Sequence, residues 1–293
     1  MLRWQIGDVT VTRVLELEMP VAYNDKRPFL AGATPEALAK IGWLHPHYVT
    51  PDGALRLSIH ALLVEAPGLR LVVDTCIGND KPRRFIGRQP LSTGFLAEME
   101  KLGWSRDSVD AVVCTHLHVD HVGWNTMLEG DRWVPTFPRA RYLIGRREYD
   151  YWKAEGDEEQ QTILGDSVQP IFDAGLAELV EPDHRLSAEV ALKPTPGHTP
   201  GHVSVAIESR GQRALITGDM MHHPCQIARP DWSPPFDEDP VQSLATRQAV
   251  LTEVGDSDIL VIGTHFAAPT AGLIVKDGDT WRFEGAETQG IGG

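Results

Sequence analysis

Three things are scarce in this 293-residue sequence: cysteine, positive charge and long apolar runs. Cys76, Cys114 and Cys225 are the only cysteines, and they are scattered with no C-x-x-C pair, so a disulfide framework is not expected. No apolar stretch approaches the roughly 18 to 20 residues of a membrane-crossing helix. Met1 to Asp8 show no basic segment leading into an apolar stretch and a small-residue cleavage site, which predicts a mature cytoplasmic protein. The 27 Lys and Arg face 41 Asp and Glu, a formal net charge of −14. That balance argues against nucleic acid and anionic membrane as partners, because both require a basic patch to displace counterions. Length alone allows roughly two domains. Because no low-complexity linker interrupts the chain, one continuous domain over 1–293 is expected.

What the sequence does have is ordinary for a globular protein, with 42% hydrophobic and 23% charged residues. Partial alternation over 9–17 predicts an opening strand. Residues 18–54 form an arm rich in proline, including Pro20, Pro28, Pro35, Pro46 and Pro51, with a short helix expected over 34–41. Such an arm can cap a pocket or join two copies in a homodimer. Two later stretches share a pattern: strands over 55–65 and 69–73 end at Asp74, and strands over 202–208 and 213–217 end at Gly218-Asp219. Both hairpins deliver an aspartate at a strand C-terminus, as an internally duplicated α/β sandwich would. Helices are expected over 93–102, 146–153, 166–180 and 240–253, with Ser92 or Thr93 and Asp166 as N-caps. A buried strand is expected over 108–114, and a hairpin over 273–283 around Asp277-Gly278-Asp279.

Histidine is the informative residue, with 12 in the chain. The strand over 108–114 runs into Thr115-His116-Leu117-His118-Val119-Asp120-His121. By chance, His-x-His-x-Asp-His should arise in roughly 0.0015 of chains of this composition, so it is read as a motif. In an extended segment, His116 and His118 present imidazoles to the same side. A turn into helix at Asp120 would send that carboxylate and His121 to a neighbouring position. Imidazole nitrogen and carboxylate oxygen suit borderline cations such as zinc, and a pair of cations about 3.5 to 4 Å apart needs an anion between them. Further donors follow expected strands or precede one: His198 in Pro196-Gly197-His198-Thr199-Pro200-Gly201-His202, Asp219, and His265 in Gly263-Thr264-His265-Phe266. Ligand-binding residues gather at such strand ends in α/β sheets.

On these residues the sequence resembles the metallo-β-lactamase superfamily over roughly 55–285. The resemblance implies an α/β fold, a four-layer αββα sandwich of two mixed sheets flanked by helices. It also implies two divalent metal ions per chain, zinc first, with iron, manganese, cobalt and nickel left open. One ion would take His116, His118 and His198, the other Asp120, His121 and His265, with Asp219 bridging. Asp74 matches the aspartate that steadies a ligand histidine from behind.

Within the superfamily, His118 stands where oxygen-reducing diiron members have Glu, and Asp219 is a bridging carboxylate that true β-lactamases lack. The tail after His265 is too short for the helical domain of glyoxalase II, and the charge disfavours nucleases. What remains resembles the lactonase and organophosphate-hydrolase branch, similar to methyl parathion hydrolase and to the quorum-quenching lactonases. The lactonases carry a Tyr three residues after the bridging aspartate, and His222 occupies that position here. The resemblance implies a hydrolase in which a bridging hydroxide opens lactones or cleaves carboxylic esters, with phosphotriesters as promiscuous substrates. Asp120, Asp219 and His222 are its expected catalytic residues, and a small apolar ester or lactone its expected substrate. A phosphodiesterase or nuclease of the same fold, and a noncatalytic metal-binding scaffold, are the alternatives. Trp43, Tyr48, Phe85, Trp124, Trp232, Phe236 and Phe266 are candidates to line an apolar pocket, each more often a core or interface aromatic. His45 and His47 are expected at the surface, and His223 in a structural role.

Overall fold

Strands that are apolar on both faces must be covered on both faces, and that requirement sets the architecture. The computed structural model describes residues 1–286. The chain opens with β1 (Arg3–Ile6) and β2 (Val9–Val21), passes through the arm with its single short helix α1 (Pro35–Leu38), and returns as β3 (Leu55–Ala66) and β4 (Leu69–Val73). Helix α2 (Phe95–Lys101) leads to β5 (Ala111–Cys114). A separate hairpin, β6 (Thr126–Glu129) and β7 (Arg132–Pro135), precedes β8 (Arg141–Gly145). Helices α3 (Arg146–Glu155), α4 (Glu158–Ile163) and α5 (Gln169–Asp173) then lead to β9 (Ala177–Val180). The second half holds β10 (Val190–Pro194), β11 (Val203–Ser209), β12 (Gln212–Ile216), α6 (Cys225–Ala228), α7 (Pro240–Val254), β13 (Ile259–Ile262), β14 (Ala271–Asp277) and β15 (Thr280–Gly285).

Two mixed sheets result, one in the order β1-β2-β3-β4-β5-β8-β9 and one in the order β10-β11-β12-β13-β14-β15. Side chains two apart share a face. In β3, Leu62 and Val64 join Val205, Ile207 and Ile216 between the sheets, whereas Ile59, Ala61 and Leu63 face Phe95 and Met99 of α2 and Trp152 of α3. In the second sheet, Leu215 and Val261 turn outward onto Val250, Leu251 and Val254 of α7. The layers are helix, sheet, sheet, helix, as expected. The arm belongs to the last layer, where Leu30, Leu38, Leu44 and Tyr48 are buried.

The expected duplication has a topological counterpart. Hairpin β3–β4 is extended by parallel pairing of β4 with β5, and hairpin β11–β12 by parallel pairing of β12 with β13.

Four local expectations need correction. No helix spans 166–180: residues 158–173 are helical with a π-turn over Leu164–Val168, Gly175 at φ 71° ends the run, and Ala177–Val180 is strand. Asp166 does not cap a helix, because its carboxylate is paired with the buried Arg83 guanidinium at 2.7 and 2.9 Å. Likewise α2 starts after Gly94 with no side-chain cap, since Thr93 is bonded to Asn79 instead. Residues 119–121 form a turn and not the start of a helix.

Candidate metal centre

Loops at one end of the two sheets carry the chemistry. After β5 the chain leaves the sheet as an irregular loop bearing His116, His118, Asp120 and His121. Buried Glu148 of α3 accepts hydrogen bonds from Leu117 N, Gly201 N, Thr199 Oγ1 and Trp152 Nε1, so one carboxylate ties this loop to the loop carrying His198. Gly201 is needed there, because a Cβ would stand 2.3 Å from Glu148 N. After β12, Gly218 at φ 56° lets the chain turn beneath His202, and Asp219 N donates to His202 Nε2 at 2.8 Å. Burial pulls the His202 pKa down to about 4, which keeps that nitrogen unprotonated and able to accept.

Asp219 is the hub. Its carboxylate oxygens lie 3.1 Å from a ring nitrogen of His265, 3.2 Å from His121, 3.3 Å from His222, 3.7 Å from His198 and 3.8 Å from His116. His118 Nδ1 is 2.9 Å from His198 Nε2, and Asp120 lies 3.6 to 3.7 Å from His265 and His121. All eight of the expected site residues are therefore brought together.

Four of the histidines are held from behind. His121 Nδ1 meets Asp74 Oδ2 at 2.8 Å, His198 Nδ1 meets Asp237 Oδ1 at 2.9 Å, His265 Nδ1 meets the Ser58 carbonyl at 3.0 Å, and His116 Nδ1 meets Thr115 Oγ1 at 3.1 Å. Each leaves Nε2 directed inward. Fixing one nitrogen selects the tautomer and aims the other, the arrangement that metal-ligating histidines need. Asp74 itself sits at φ 57° at the end of β4 and accepts from Thr115 N and Thr115 Oγ1.

The donor set fits divalent cations on two grounds. His116 Nε2, Asp219 Oδ1 and both ring nitrogens of His222 are buried with no hydrogen-bond partner, a costly state for polar atoms with no ligand to meet. The ligand atoms also fall into close groups: His116, His118 and His198; His116, His121 and Asp219; Asp120, His121 and His265; and His198, Asp219 and His222. Charge supports the same reading. Burial holds His116, His118 and His198 well below the usual imidazole range, in the neutral form that ligates. At His121 and His265 burial also pulls downward, but Asp219 and its neighbouring carboxylates outweigh it and raise both rings. Burial works to raise Asp219, yet His121, His265 and His222 hold it well below the ordinary carboxylate range.

Above the cluster opens a cavity of about 720 Å³, with His118, Asp120, Asp219, His222 and His265 in its lining. One wall is apolar, built from Met19, Val21, Phe29, Leu57, Ile59 and Phe236. Of the seven aromatics named from the sequence, Phe85 and Phe236 line this cavity. Trp124, Trp232, Tyr48 and Phe266 are instead buried core residues, and Trp43 packs on the same core. The arm does reach the pocket, through Met19, Val21 and Phe29. His45 and His47 are exposed. His223 is structural, with Nε2 on the Tyr48 carbonyl and Nδ1 accepting from Cys225 N.

Sequence reasoning missed Asp237, Glu148, Phe29, Tyr151 and Trp152. The repeated Pro-Gly-His of 196–198 and 200–202 held a signal, since one histidine faces the cluster and the other supports Asp219. Asp237 lies in an acidic loop with nothing in its neighbours to set it apart.

The sequence profile of the metallo-beta-lactamase superfamily matches residues 55–265. An N-acyl homoserine lactonase of Bacillus cereus is 25% identical over 188 residues, covering 58% of this chain and 67% of that protein. A probable metallo-hydrolase of Mycobacterium tuberculosis is 28% identical over 184 residues, covering 58% of each. Among solved structures, the hydrolase AbOPH of the beta lactamase superfamily aligns with a TM-score of 0.79 at 21% identity, covering 98% of this chain and 97% of that one. The dizinc quorum-quenching lactonase AidC, in complex with N-hexanoyl-L-homoserine as product, aligns at 0.77 with 19% identity over 97% of both chains. At these identities the structural likeness speaks for the fold.

Proposed function

This chain belongs to the metallo-beta-lactamase superfamily, and on that premise we propose that it is a dinuclear metal-dependent hydrolase of lactones or carboxylic esters. The observation that carries the reading is Asp219, one buried carboxylate within 3.8 Å of five histidines at the floor of a half-apolar cavity. His116, His118 and His198 would hold one cation, Asp120, His121 and His265 the other, and Asp219 would face both. Zinc suits imidazole and carboxylate donors, and the dizinc lactonase among the structural neighbours supports that choice. When bound, two such cations supply Lewis acidity towards a carbonyl oxygen and acidify water enough to provide a nucleophile near neutral pH.

The chain's own residues divide the remaining work. Asp120, whose side chain is 20% exposed at the cavity floor, accepts a hydrogen bond from the attacking water and orients it. His222, with neither ring nitrogen bonded within the protein, offers a hydrogen bond from its ring N–H to a substrate oxygen and orients the substrate. The edges of Phe29 and Phe236 pack against the His222 ring at centroid distances of 5.8 and 5.4 Å, excluding water on that side. Phe29, Leu57 and Ile59 give an acyl chain an apolar surface. Asp74, Asp237 and the Ser58 carbonyl keep three rings in their working tautomers.

A panel of acyl lactones, aryl esters, phosphotriesters and β-lactams tests the reading. Lactones or esters should turn over with metal-loaded protein and stop on chelation. A fully metallated protein that leaves every lactone and ester intact overturns it. Phosphotriester turnover in the same panel would establish the organophosphate side activity. The reading also includes a homodimer, checked by light scattering, and a cytoplasmic setting, checked by cell fractionation. Among the described residues, no helix is long and apolar enough to cross a membrane.

A further inference from the structure

Part of the cavity lining has a different chemistry. Tyr151 and Trp152 of α3, together with Glu155, Asp157 and Glu238, line the same cavity as the apolar side chains. Glu155, Asp157 and Glu238 are exposed, so they sit at the mouth, while the histidines lie buried at the floor. None of the three carboxylates has an ion-pair partner among the described residues. A fourth, Glu159, is engaged by Arg84 at 3.2 Å, which uses the one Lys or Arg side chain in the lining. Two of the three carboxylates are also fixed in place: Asp157 caps α4 through Gln160 N at 2.9 Å, and Tyr151 donates its hydroxyl to Glu238. That bond pushes the Tyr151 pKa up to about 12, so it persists at neutral pH.

We propose that this rim selects substrates by charge, and that the preferred substrate is an ester or lactone bearing an ammonium group on an apolar chain. The inference rests on the hydrolase reading for its chemistry. Three unneutralised carboxylates attract a cation into the mouth, and the Tyr151 ring in the same lining adds an aromatic group of the kind that attracts an ammonium. Buried His222, both of whose ring nitrogens are unpartnered, lines the same cavity and marks it as built to receive a polar ligand below the rim. A carboxylate-bearing substrate meets the same rim as repulsion.

The test compares esters of one acid with choline, with 3,3-dimethylbutanol, which has the same shape without the charge, and with a 4-hydroxybutanoate of similar length. The kcat/KM should fall in that order, with about tenfold between the first two at low ionic strength, shrinking to about twofold at 0.5 M salt. A Glu155→Gln, Asp157→Asn, Glu238→Gln variant, which preserves the cap and the tyrosine bond, should lose most of the preference while hydrolysing the neutral ester unchanged. Binding of hexyltrimethylammonium and of hexanoate, followed by calorimetry, reports on the rim without turnover. The cation should bind at least about tenfold tighter, and the triple variant should remove the difference. If esters turn over with no cation preference in rate or binding, the rim inference is overturned and the hydrolase reading stands. If the cation preference appears in binding while no ester is cleaved, the rim inference stands and the hydrolase reading falls.

Discussion

Asp74 and Asp219 end equivalent hairpins, one in each sheet, and each is followed in its sheet by a parallel strand. Their surroundings diverge. Asp74 is saturated, with Thr115 N, Thr115 Oγ1 and His121 Nδ1 all bonded to its oxygens. Asp219 keeps an unpartnered oxygen and gathers five rings around it. Comparable hairpin ends thus serve two purposes, although Asp74 directly follows its strand at φ 57° and Asp219 lies three residues past its strand at φ −95°: one carboxylate builds the loop that carries the candidate ligands, and the other is left open towards them. A neighbouring pair repeats the lesson at shorter range, because His223 spends both nitrogens on the protein while His222 spends neither.

Breaking the open half of the comparison should cost most. Asp219→Ala should lower kcat/KM by on the order of 10³ or more and remove bound metal, with the far-UV circular dichroism unchanged. Breaking the saturated half should cost less. Asp74→Asn keeps the shape and can keep an oxygen on Thr115 N, but it puts an amide donor where Oδ2 accepts from His121 Nδ1, and should weaken metal binding and activity by about 10- to 100-fold, read from metal titrations and kinetics. The histidine pair should separate by kind of effect. His222→Ala should change substrate preference with metal content kept, whereas His223→Ala should destabilise the fold by about 1 to 3 kcal/mol in urea unfolding, leaving activity per folded molecule intact. Loss of metal in His222→Ala would merge the two halves that the comparison keeps apart.

The last effect, on stability and not on activity, concerns a buried amine away from the centre. Lys81 is fully buried, with Nζ on the Thr126 carbonyl and 3.7 Å from the Trp133 ring centroid, and burial lowers its pKa to about 7. In the unfolded chain the group titrates near 10.4. Between those values the unfolded state holds the extra proton, so stability rises with pH across this window and is lowest below about pH 7. Lys81→Met should flatten that rise by up to about 1.4 kcal/mol per pH unit, measured as urea midpoints from pH 7 to 10.

Much of this was readable in the sequence, for physical reasons that differ by element. The strands around residues 55–73 and 203–216 are apolar on both faces and bounded by turns, so their pairing and their terminal aspartates stood out. The candidate ligand residues were legible because four of them crowd into six positions of one loop. The helix expected over 166–180 failed because Gly175 and the Arg83 partner of Asp166 act through backbone conformation and tertiary contact, neither of which leaves a local pattern. Asp237 and Glu148 were invisible for the same reason: each supports the site from a distant element, Asp237 39 residues from the ring that it holds. The pocket aromatics divided between core and cavity according to packing that periodicity does not encode.

The central claim is that the open aspartate and its histidines hold two cations. Metal analysis by inductively coupled plasma mass spectrometry, on protein purified without chelators, tests it directly. The account predicts close to two transition-metal ions per chain, falling to about one or fewer in Asp219→Ala. Fewer than about one ion per chain in the parent protein, after incubation with zinc, manganese or cobalt and removal of the excess, would contradict it.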